Sequence, residues 1–283
     1  MIRDHRHHPR DWRGFLYAYP VISRRSRGLS IGVNLNPDAA CNFDCIYCQV
    51  DRTGVPRVRT VDVAVLRREL EALVETAVTG ALFSEPEFAA TPPTFRRLND
   101  IAFSGDGEPT TCPQFADAVA MVAELKRARN LGGVKTVLIT DACYLTRPAV
   151  VRGLEIMDGS HGEIWAKLDA GTEDYYRLIN RPNYPLAHVV ENIVHAARVR
   201  PVVIQSLFMR VHDAPPSDAE IDAYVGRLSE IVVGGGRLAC VQVYTVARPP
   251  AQGYVTRLDD AEVARIADRV RDRTGLPVES FPG

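Results

Sequence analysis

The stretch that decides the fold runs from Leu29 to Cys48. It reads Leu29-Ser30-Ile31-Gly32-Val33-Asn34-Leu35-Asn36, then Cys41-Asn42-Phe43-Asp44-Cys45-Ile46-Tyr47-Cys48 after four intervening residues. The apolar run predicts a strand from Ile31 to Leu35, and the cysteines after it have the spacing C-x3-C-x2-C. Three thiolates can bind three irons of a cubane cluster while the fourth iron stays open to another ligand. The pattern therefore indicates chemistry at this loop and not stability alone.

Two other interpretations of the three cysteines stay open at this point. A structural zinc ion takes four protein ligands, and no nearby Cys or His supplies the fourth. A non-catalytic iron–sulfur electron carrier usually has four cysteine ligands, so it fits the pattern poorly for the same reason.

Composition and charge limit the class of protein. The chain has 283 residues, of which 46% are hydrophobic and 24% charged, enough for one barrel or two smaller domains with a substantial core. Its 34 basic and 35 acidic residues give a formal charge of -1, so no overall field favours nucleic acid or an anionic membrane. His5, His7 and His8 are interpreted as part of an exposed tail and not as a metal site.

The cysteine usage and the apolar runs predict a cytoplasmic protein. Six cysteines in a chain of this length, three of them scattered as Cys112, Cys143 and Cys240, do not resemble a disulfide framework, so reduced thiols are expected. No signal peptide is recognisable, and no run of about 18 apolar residues predicts a membrane span. We expect an N-terminal extension over residues 1–20 and a single domain over residues 21–283.

Short apolar runs alternate with longer amphipathic ones, which predicts repeated strand–helix units around a parallel sheet. After the first strand, further strands are predicted at Asp100 to Ser104, Lys135 to Thr140, Glu163 to Asp169, Val202 to Phe208 and Val241 to Val246. Helices are predicted near Asp62 to Ala77, from Pro113, at Pro148 to Met157, at Glu173 to Leu178, along Leu186 to Ala197, from Ser217 and from Asp259 to Gly275. A flat doubly wound sheet has the same pattern, but we favour an α/β fold of the partial (β/α)6 TIM-barrel type, because the polar motifs all follow strands.

From about Pro20 to Pro250 the chain resembles the radical S-adenosylmethionine (SAM) superfamily. The cysteine spacing carries the resemblance, together with Tyr47 just before the last cysteine. The resemblance implies a [4Fe-4S] cluster on Cys41, Cys45 and Cys48, with the amino and carboxylate groups of SAM on the open iron. It further implies reductive cleavage of SAM to a 5'-deoxyadenosyl radical that abstracts hydrogen from an unidentified substrate. An electron donor such as flavodoxin or ferredoxin would supply the electron.

Other strand-end residues are candidates for binding SAM. Gly105-Asp106-Gly107-Glu108 follows the second strand and alone would indicate only a tight turn; the resemblance implies that Glu108 receives the methionyl ammonium. Strand alternation places Lys167 and Asp169 on the same side, where they need ligands or each other. By resemblance Lys167 contacts the SAM carboxylate and Asp169 a ribose, the substrate or a loop; a structural ion pair is the alternative. The remaining candidates are Tyr47, Thr140, Gln205, Ser206, Tyr244 and Val246.

A closer resemblance is to a bacterial branch related to wyosine-forming tRNA enzymes. It is carried by Ser23-Arg24-Arg25, Gly32-Val33-Asn34, Phe103 to Pro109, Lys167 to Gly171 and Tyr244 to Pro250. By analogy it suggests a tRNA guanine substrate. Against this, no cysteine precedes Cys41 to ligate an additional cluster, no flavodoxin-like domain is present, and the balanced charge does not support a large RNA footprint.

The substrate-side candidates are Cys143, Arg181 and Arg210. The branch carries Asn-Gly after the third strand, whereas this chain has Asp141-Ala142 followed by Cys143. Cys112, after the second strand, is a second thiol that could approach the open face, although burial is the ordinary explanation for both. Arg181 and Arg210 could bind phosphate at the mouth of a barrel.

Overall fold

The computed structural model describes residues 12–50, 52, 55–56, 58–250 and 252–283, so His5, His7 and His8 lie outside the described residues. The chain divides into two compact units. Unit 1 comprises the described residues within Met1–Ala40, Arg52–Ile139 and Arg147–Glu163. Unit 2 comprises those within Cys41–Asp51, Thr140–Thr146 and Ile164–Gly283.

Unit 1 contains parallel strands connected through helices, as the alternating pattern predicts. Its strands are β1 (Ala18–Ser23), β2 (Gly28–Val33), β3 (Leu98–Phe103) and β4 (Lys135–Thr140, whose last residue belongs to unit 2), in the order β1-β2-β3-β4. β1 is antiparallel to β2, and β2, β3 and β4 are parallel. The helices are α1 (Val63–Val78), α2 (Phe115–Ala128) and α3 (Pro148–Asp158), with short 3-10 turns at Ala81–Ser84, Pro93–Phe95 and Pro109–Thr111.

Helix α1 shows how local sequence and tertiary contacts combine in unit 1. Asp62 accepts hydrogen bonds from the backbone N–H groups of Ala64 and Val65 and so caps the helix start. The predicted apolar face is buried, namely Leu66, Leu70, Leu73, Val74 and Ala77. On the same helix, the buried carboxylate of Glu69 accepts the backbone N–H groups of residues 16, 17 and 18 at 2.8, 2.8 and 3.1 Å. This carboxylate holds the segment that leads into β1.

Unit 2 has a second set of parallel strands and a small ribbon. Its strands are β5 (Gly162–Lys167, whose first two residues belong to unit 1), β6 (Val202–Leu207), β7 (Met209–Val211), β8 (Leu238–Tyr244), β9 (Val255–Arg257) and β10 (Val278–Phe281). β5, β6, β8 and β10 follow one another in parallel, while β7 and β9 form an antiparallel pair. The helices are α4 (Glu173–Asn180), α5 (Leu186–Val199), α6 (Asp218–Val233) and α7 (Asp260–Thr274).

The predicted helix ends of unit 2 are confirmed in part. Asp259 and Glu262 form a reciprocal capping box at α7, which ends at Gly275 with φ at +69°. Ser217 accepts the backbone N–H of Glu220 at α6, but the carboxylate of Glu220 does not return to Ser217. Instead it accepts the N–H of Gly171 and the hydroxyl of Thr172, just before α4. The side chain therefore ties α6 to the start of α4.

Four strands of the structure are absent from the sequence prediction. β1, β7, β9 and β10 were not predicted; β7 and β9 have three residues each and β10 has four, too few for a recognisable alternation. β2 begins at Gly28, three residues before the predicted Ile31. The predicted domain boundary after residue 20 falls inside β1, and the single-domain assignment stays a prediction. In the described part of the chain, no helix combines the length and apolar character needed to span a bilayer.

Replacement by alanine should change the free energy of unfolding in opposite directions at two glycines, one within α6 and one packed against it. Gly226 is exposed within α6 and a Cβ there would meet nothing within 4 Å, so Gly226→Ala should stabilise the chain by about 0.5–1 kcal/mol. A Cβ at Gly171 would lie 2.0 Å from the backbone nitrogen of Tyr224 in α6, so Gly171→Ala should destabilise it by about 1–3 kcal/mol. Urea unfolding of the apoprotein measures both, and a lower midpoint for Gly226→Ala would contradict the first expectation.

Candidate functional site

The loop that carries the three cysteines is held by the end of α4, within unit 2. The backbone N–H groups of Asp44 and Ile46 donate to the carbonyl oxygens of Asn180 and Ile179, at 3.0 and 2.9 Å. These are carbonyls of the last helical turn, which have no partner inside the helix. The loop therefore satisfies the helix end, and the helix end fixes the path of the loop.

The three thiols of this loop fit a cubane cluster by their chemistry. None of Cys41, Cys45 and Cys48 forms a disulfide, and each is partly exposed. The backbone N–H of Cys48 donates to the carbonyl of Cys45 at 2.9 Å, and the side-chain amide of Asn180 lies 3.4 Å from the Cys45 sulfur. Desolvation raises the pKa of Cys45 to about 12. A cationic partner such as iron would stabilise the thiolate form of this residue. No three His, Cys, Asp or Glu side chains of the described residues could hold a single metal ion; in a cubane each thiolate binds a different iron.

The carboxylate of Asp169, just after β5, is the centre of the polar network beside this loop. The residue is 2% exposed. Its Oδ1 lies 2.8 Å from Nζ of Lys167 and accepts the backbone N–H of Leu207 at 2.8 Å. Its Oδ2 accepts the hydroxyl of Tyr47 and the side-chain amide of Asn180, the latter at 3.1 Å. Four donors thus compensate for the burial of one negative charge.

Lys167 lies between two aromatic rings. Its Nζ donates to the hydroxyl of Tyr244 at 2.6 Å, and it stands 5.4 Å and 4.9 Å from the ring centres of Tyr47 and Tyr244. Desolvation lowers the pKa of Lys167, but the charge of Asp169 and the contact with Tyr244 outweigh it and raise the pKa above its usual value. Lys167 and Asp169 therefore pair with each other, one of the two arrangements that the sequence predicts; their roles towards SAM stay predictions.

The other candidates on the strands of unit 2 are buried and mostly engaged. Nε2 of Gln205 donates to Gln242 at 2.9 Å, whereas its Oε1 is buried without a hydrogen-bond partner among the described residues. The hydroxyl of Ser206 donates to the carbonyl of Leu168 at 2.6 Å, a structural contact. Val246 is buried two residues after β8.

The turn after β4 holds Cys143 in the interior. Oδ1 of Asp141 accepts the backbone N–H of Cys143 at 2.8 Å, and its Oδ2 accepts the side-chain amide of Asn42 at 2.9 Å. Thr140 Oγ1 accepts the N–H of Ala142 at 3.0 Å, and Ala142 has a φ of +66°. This is the position at which the resembled branch has glycine, which adopts a positive φ at no steric cost.

The two candidate thiols outside the loop are both buried. Cys143 is 2% and Cys112 is 8% exposed, and Sγ of Cys112 donates to Gln114 at 3.3 Å. Burial raises the pKa of Cys112. The ordinary explanation for these thiols therefore agrees with the structure, and the substrate-side role of Cys143 stays a prediction.

The two candidate arginines of unit 2 each already face a carboxylate. Arg181 lies 3.4 Å from Asp44 and donates to the hydroxyl of Tyr254 at 3.1 Å. Arg210, in β7, lies 2.6 Å from Glu262. Their positive charges are therefore partly neutralised, and a role in binding phosphate stays a prediction.

In unit 1, Asn34 shapes the first half of the glycine-rich loop. Its amide donates to the carboxylate of Asp106 at 2.6 Å, and the N–H of Asp106 donates back to Asn34 Oδ1 at 3.3 Å. Gly105 has a φ of +153°, and a Cβ there would lie 2.5 Å from Asn34 Oδ1. The glycine at this position thus permits both the backbone conformation and the close packing.

The second half of this loop packs against the residue that precedes the first cysteine. A Cβ on Gly107 would lie 2.0 Å from the carbonyl oxygen of Ala40, which accepts the N–H of Glu108 at 2.9 Å. The carboxylate of Glu108 is buried and accepts the backbone N–H of Thr110 at 3.0 Å and also its hydroxyl. Glu108 therefore caps the short turn at Pro109–Thr111, a role that the sequence analysis did not foresee.

Asn180 is the residue of this site that sequence reasoning missed. It connects Cys45, Tyr47 and Asp169, although it lies 135 residues from the first of them. The only signal in the sequence is Pro182, which predicts the end of a helix just before it. Nothing in the residue type or spacing indicates which groups the amide would meet.

The Lys167–Asp169 pair can be compared with a surface pair of the same chemistry. Asp169→Asn leaves Lys167 and three further donors without the charge they compensate, so we expect a loss of about 3–5 kcal/mol in the free energy of unfolding. Glu163→Gln breaks the partly exposed pair of Glu163 with Lys135, 2.6 Å apart, and should cost less than about 1 kcal/mol. Urea unfolding of the two apo variants provides the comparison, and equal costs would show that burial does not decide the strength of the pair.

Comparisons with known proteins show which family and which structures this chain is similar to. Residues 35–215 match the model of the Radical SAM superfamily. The chain is 24% identical over 253 residues to the "GTPase Obg" of Brachyspira hyodysenteriae and 28% identical over 167 residues to the "UPF0026 protein MJ1312" of Methanocaldococcus jannaschii. These alignments cover 87% and 59% of this chain but 32% and 44% of the relatives, so the chain spans less than half the length of either.

A solved structure of TYW1 with a lysine-pyruvate adduct bound is similar in fold, with a TM-score of 0.50 and 14% identity, covering 93% of this chain and 85% of the other. The family match extends over more than half of the chain and includes all three cysteines of the loop. The predicted fold class, an α/β core of the radical SAM type, is thereby confirmed, and the chain belongs to the radical SAM superfamily.

Proposed function

We propose that this chain binds a [4Fe-4S] cluster on Cys41, Cys45 and Cys48 and uses it to cleave SAM reductively. The observation that carries the proposal is the contact of Asn180 with both the Cys45 sulfur and the Asp169 carboxylate, which is paired with Lys167. One of the proposed cluster ligands and the proposed SAM contacts Lys167 and Asp169 thus belong to one network within unit 2. An electron-transfer site in which every iron has a cysteine ligand would have no need of a charged pair beside the cysteine loop.

When bound, the reduced cluster would supply an electron to the sulfonium of SAM and release a 5'-deoxyadenosyl radical, which takes a hydrogen atom from the substrate. The residues of this chain would position the cofactor and keep water away. The ammonium of Lys167 would receive the SAM carboxylate, and Asp169 would hold Lys167 and the loop in place. The rings of Tyr47 and Tyr244, whose centres lie 5.4 and 4.9 Å from the ammonium, would help to keep water away from it.

Glu108 would receive the methionyl ammonium in this proposal. Its carboxylate is buried, and its orientation is set by the two hydrogen bonds from Thr110. A carboxylate that is already oriented loses little entropy on binding a cation. Gly105 and Gly107 would let the backbone approach the cofactor closely.

A one-electron reductant of the flavodoxin or ferredoxin class would reduce the cluster, because each cleavage of SAM consumes one electron. The cytoplasm is the proposed setting, since thiols stay reduced there, and the six cysteines without disulfides support it. The identity of the substrate is open. Arg181 and Arg210 already face carboxylates, and the formal charge is -1, so these features do not favour tRNA over a smaller substrate.

The first test is cofactor loading and SAM cleavage. Anaerobically reconstituted protein should contain about four irons per chain and, with dithionite and SAM, release 5'-deoxyadenosine. Cys45→Ala should lose the cluster and the cleavage together, whereas Cys240→Ala, a partly exposed thiol in β8, should keep both. Iron analysis and chromatography of the nucleoside provide the measurements. A fully loaded cluster without any cleavage would refute the proposed activity.

The second test separates SAM binding from cluster binding at Glu108. Glu108→Gln keeps the oxygen that accepts from Thr110 but removes the charge offered to the methionyl ammonium. We expect the iron content to stay unchanged and the Kd for SAM to rise about tenfold or more. The exposed Glu124→Gln on α2 is the matched control and should bind SAM as the parent does. Equal affinities for all three proteins would remove Glu108 from the SAM site.

A further inference from the structure

We infer that Asn180 is a positioning residue that raises the reduction potential of the cluster by donating a hydrogen bond to the sulfur of Cys45. The inference rests on the proposed function, since it presupposes a cluster on the cysteine loop. It goes beyond that function because it assigns the control of electron entry to a residue outside the cysteine motif.

The side chain of Asn180 is buried, and its NH2 group faces three acceptors. The residue is 1% exposed and is the last of α4, and its backbone carbonyl accepts the N–H of Asp44 from the cysteine loop. Its Nδ2 lies 3.4 Å from Sγ of Cys45, 3.1 Å from the hydroxyl of Tyr47 and 3.1 Å from Oδ2 of Asp169. The same residue therefore anchors the loop by its backbone and contacts a cysteine of the loop by its side chain.

The surroundings determine which end of the amide faces the sulfur. A thiolate, a hydroxyl oxygen and a carboxylate all accept hydrogen bonds, so the atom among them must be the NH2 group and not the carbonyl oxygen. The hydroxyl of Tyr47 also approaches the sulfur of Cys45, but it has a single proton, which it donates to Asp169. The NH2 group of Asn180 has two N–H donors for these three acceptors, and one of them can serve the sulfur of Cys45.

The sign of the effect follows from charge. An electron added to the cluster increases the negative charge on the cysteine sulfurs, so an N–H donor stabilises the reduced form more than the oxidised form. The negative charge of Asp169 acts in the opposite direction on Cys45, and the amide of Asn180 stands between the two groups. Removal of the amide loses a donor and leaves two anions facing each other, which lowers the potential. Burial strengthens both contributions, because little water is present to screen them.

The test replaces the amide and measures the potential. Asn180→Leu is similar in size and has no donor, so the reconstituted variant should bind the same amount of iron and be reduced at a more negative potential in an EPR-monitored titration. Asn180→Gln keeps an amide and should recover part of the shift. Asn183→Leu changes an exposed asparagine three residues further on and should leave the potential unchanged. Loaded clusters with identical potentials in parent and Asn180→Leu would overturn the inference.

A measurement on the parent protein covers the case in which Asn180→Leu binds no cluster. Protein labelled with 15N in asparagine side chains should show, by ENDOR of the reduced cluster, a coupled 15N nucleus and a proton that exchanges in D2O. Their absence from a loaded cluster would overturn the role of Asn180 and leave the proposed SAM chemistry standing. A parent protein that binds no cluster would instead refute the proposed function and this inference together.

Discussion

The buried carboxylate of Asp169 is the constraint on which the site of unit 2 depends. A negative charge at 2% exposure must be surrounded by donors, and its four donors come from the cysteine loop, β5, the end of α4 and the end of β6. Each donor fixes the segment that carries it. The path of the cysteine loop therefore follows from an electrostatic requirement and from the carbonyls of α4, since a loop of this composition has no strong local preference of its own.

The structural and the functional interpretation of Lys167 are compatible. An ammonium has three N–H donors, and in Lys167 they serve Asp169 and Tyr244, which leaves one for an incoming carboxylate. Desolvation lowers the pKa of Lys167, but the negative charge of Asp169 and the contact with Tyr244 outweigh it and favour the charged lysine. The Lys167–Asp169 pair can thus stabilise the protein and also hold the ammonium in position for a cofactor carboxylate, so the two roles are compatible.

The sequence predicts those helices and strands whose residues carry a local pattern of apolar and capping side chains. The helices have strong apolar periodicity and capping residues, so the predicted bounds lie close to the observed ones for α1, α3, α5, α6 and α7. Strand alternation predicts that Lys167 and Asp169 lie on the same side, because they are two residues apart. β10 depends on pairing with β8, which lies before α7 in the chain, and the amide of Asn180 meets groups that stand 11, 133 and 135 residues away. Glu108 shows the same limit, because its capping bond depends on how the chain turns after Pro109. Long-range contacts of polar side chains leave no periodic trace.

Helix α4 connects α6 with the cysteine loop inside unit 2. Eight residues are too few for an independently stable helix, so α4 depends on its ends. Its start is held by Thr172 and by the carboxylate of Glu220 from α6, and its last carbonyls are satisfied by the cysteine loop. The approach of α6 to Gly171 is so close that only glycine fits. A displacement of α6 would therefore move the start of α4, and a rigid helix of about two turns would carry that shift to Asn180 and the sulfur of Cys45.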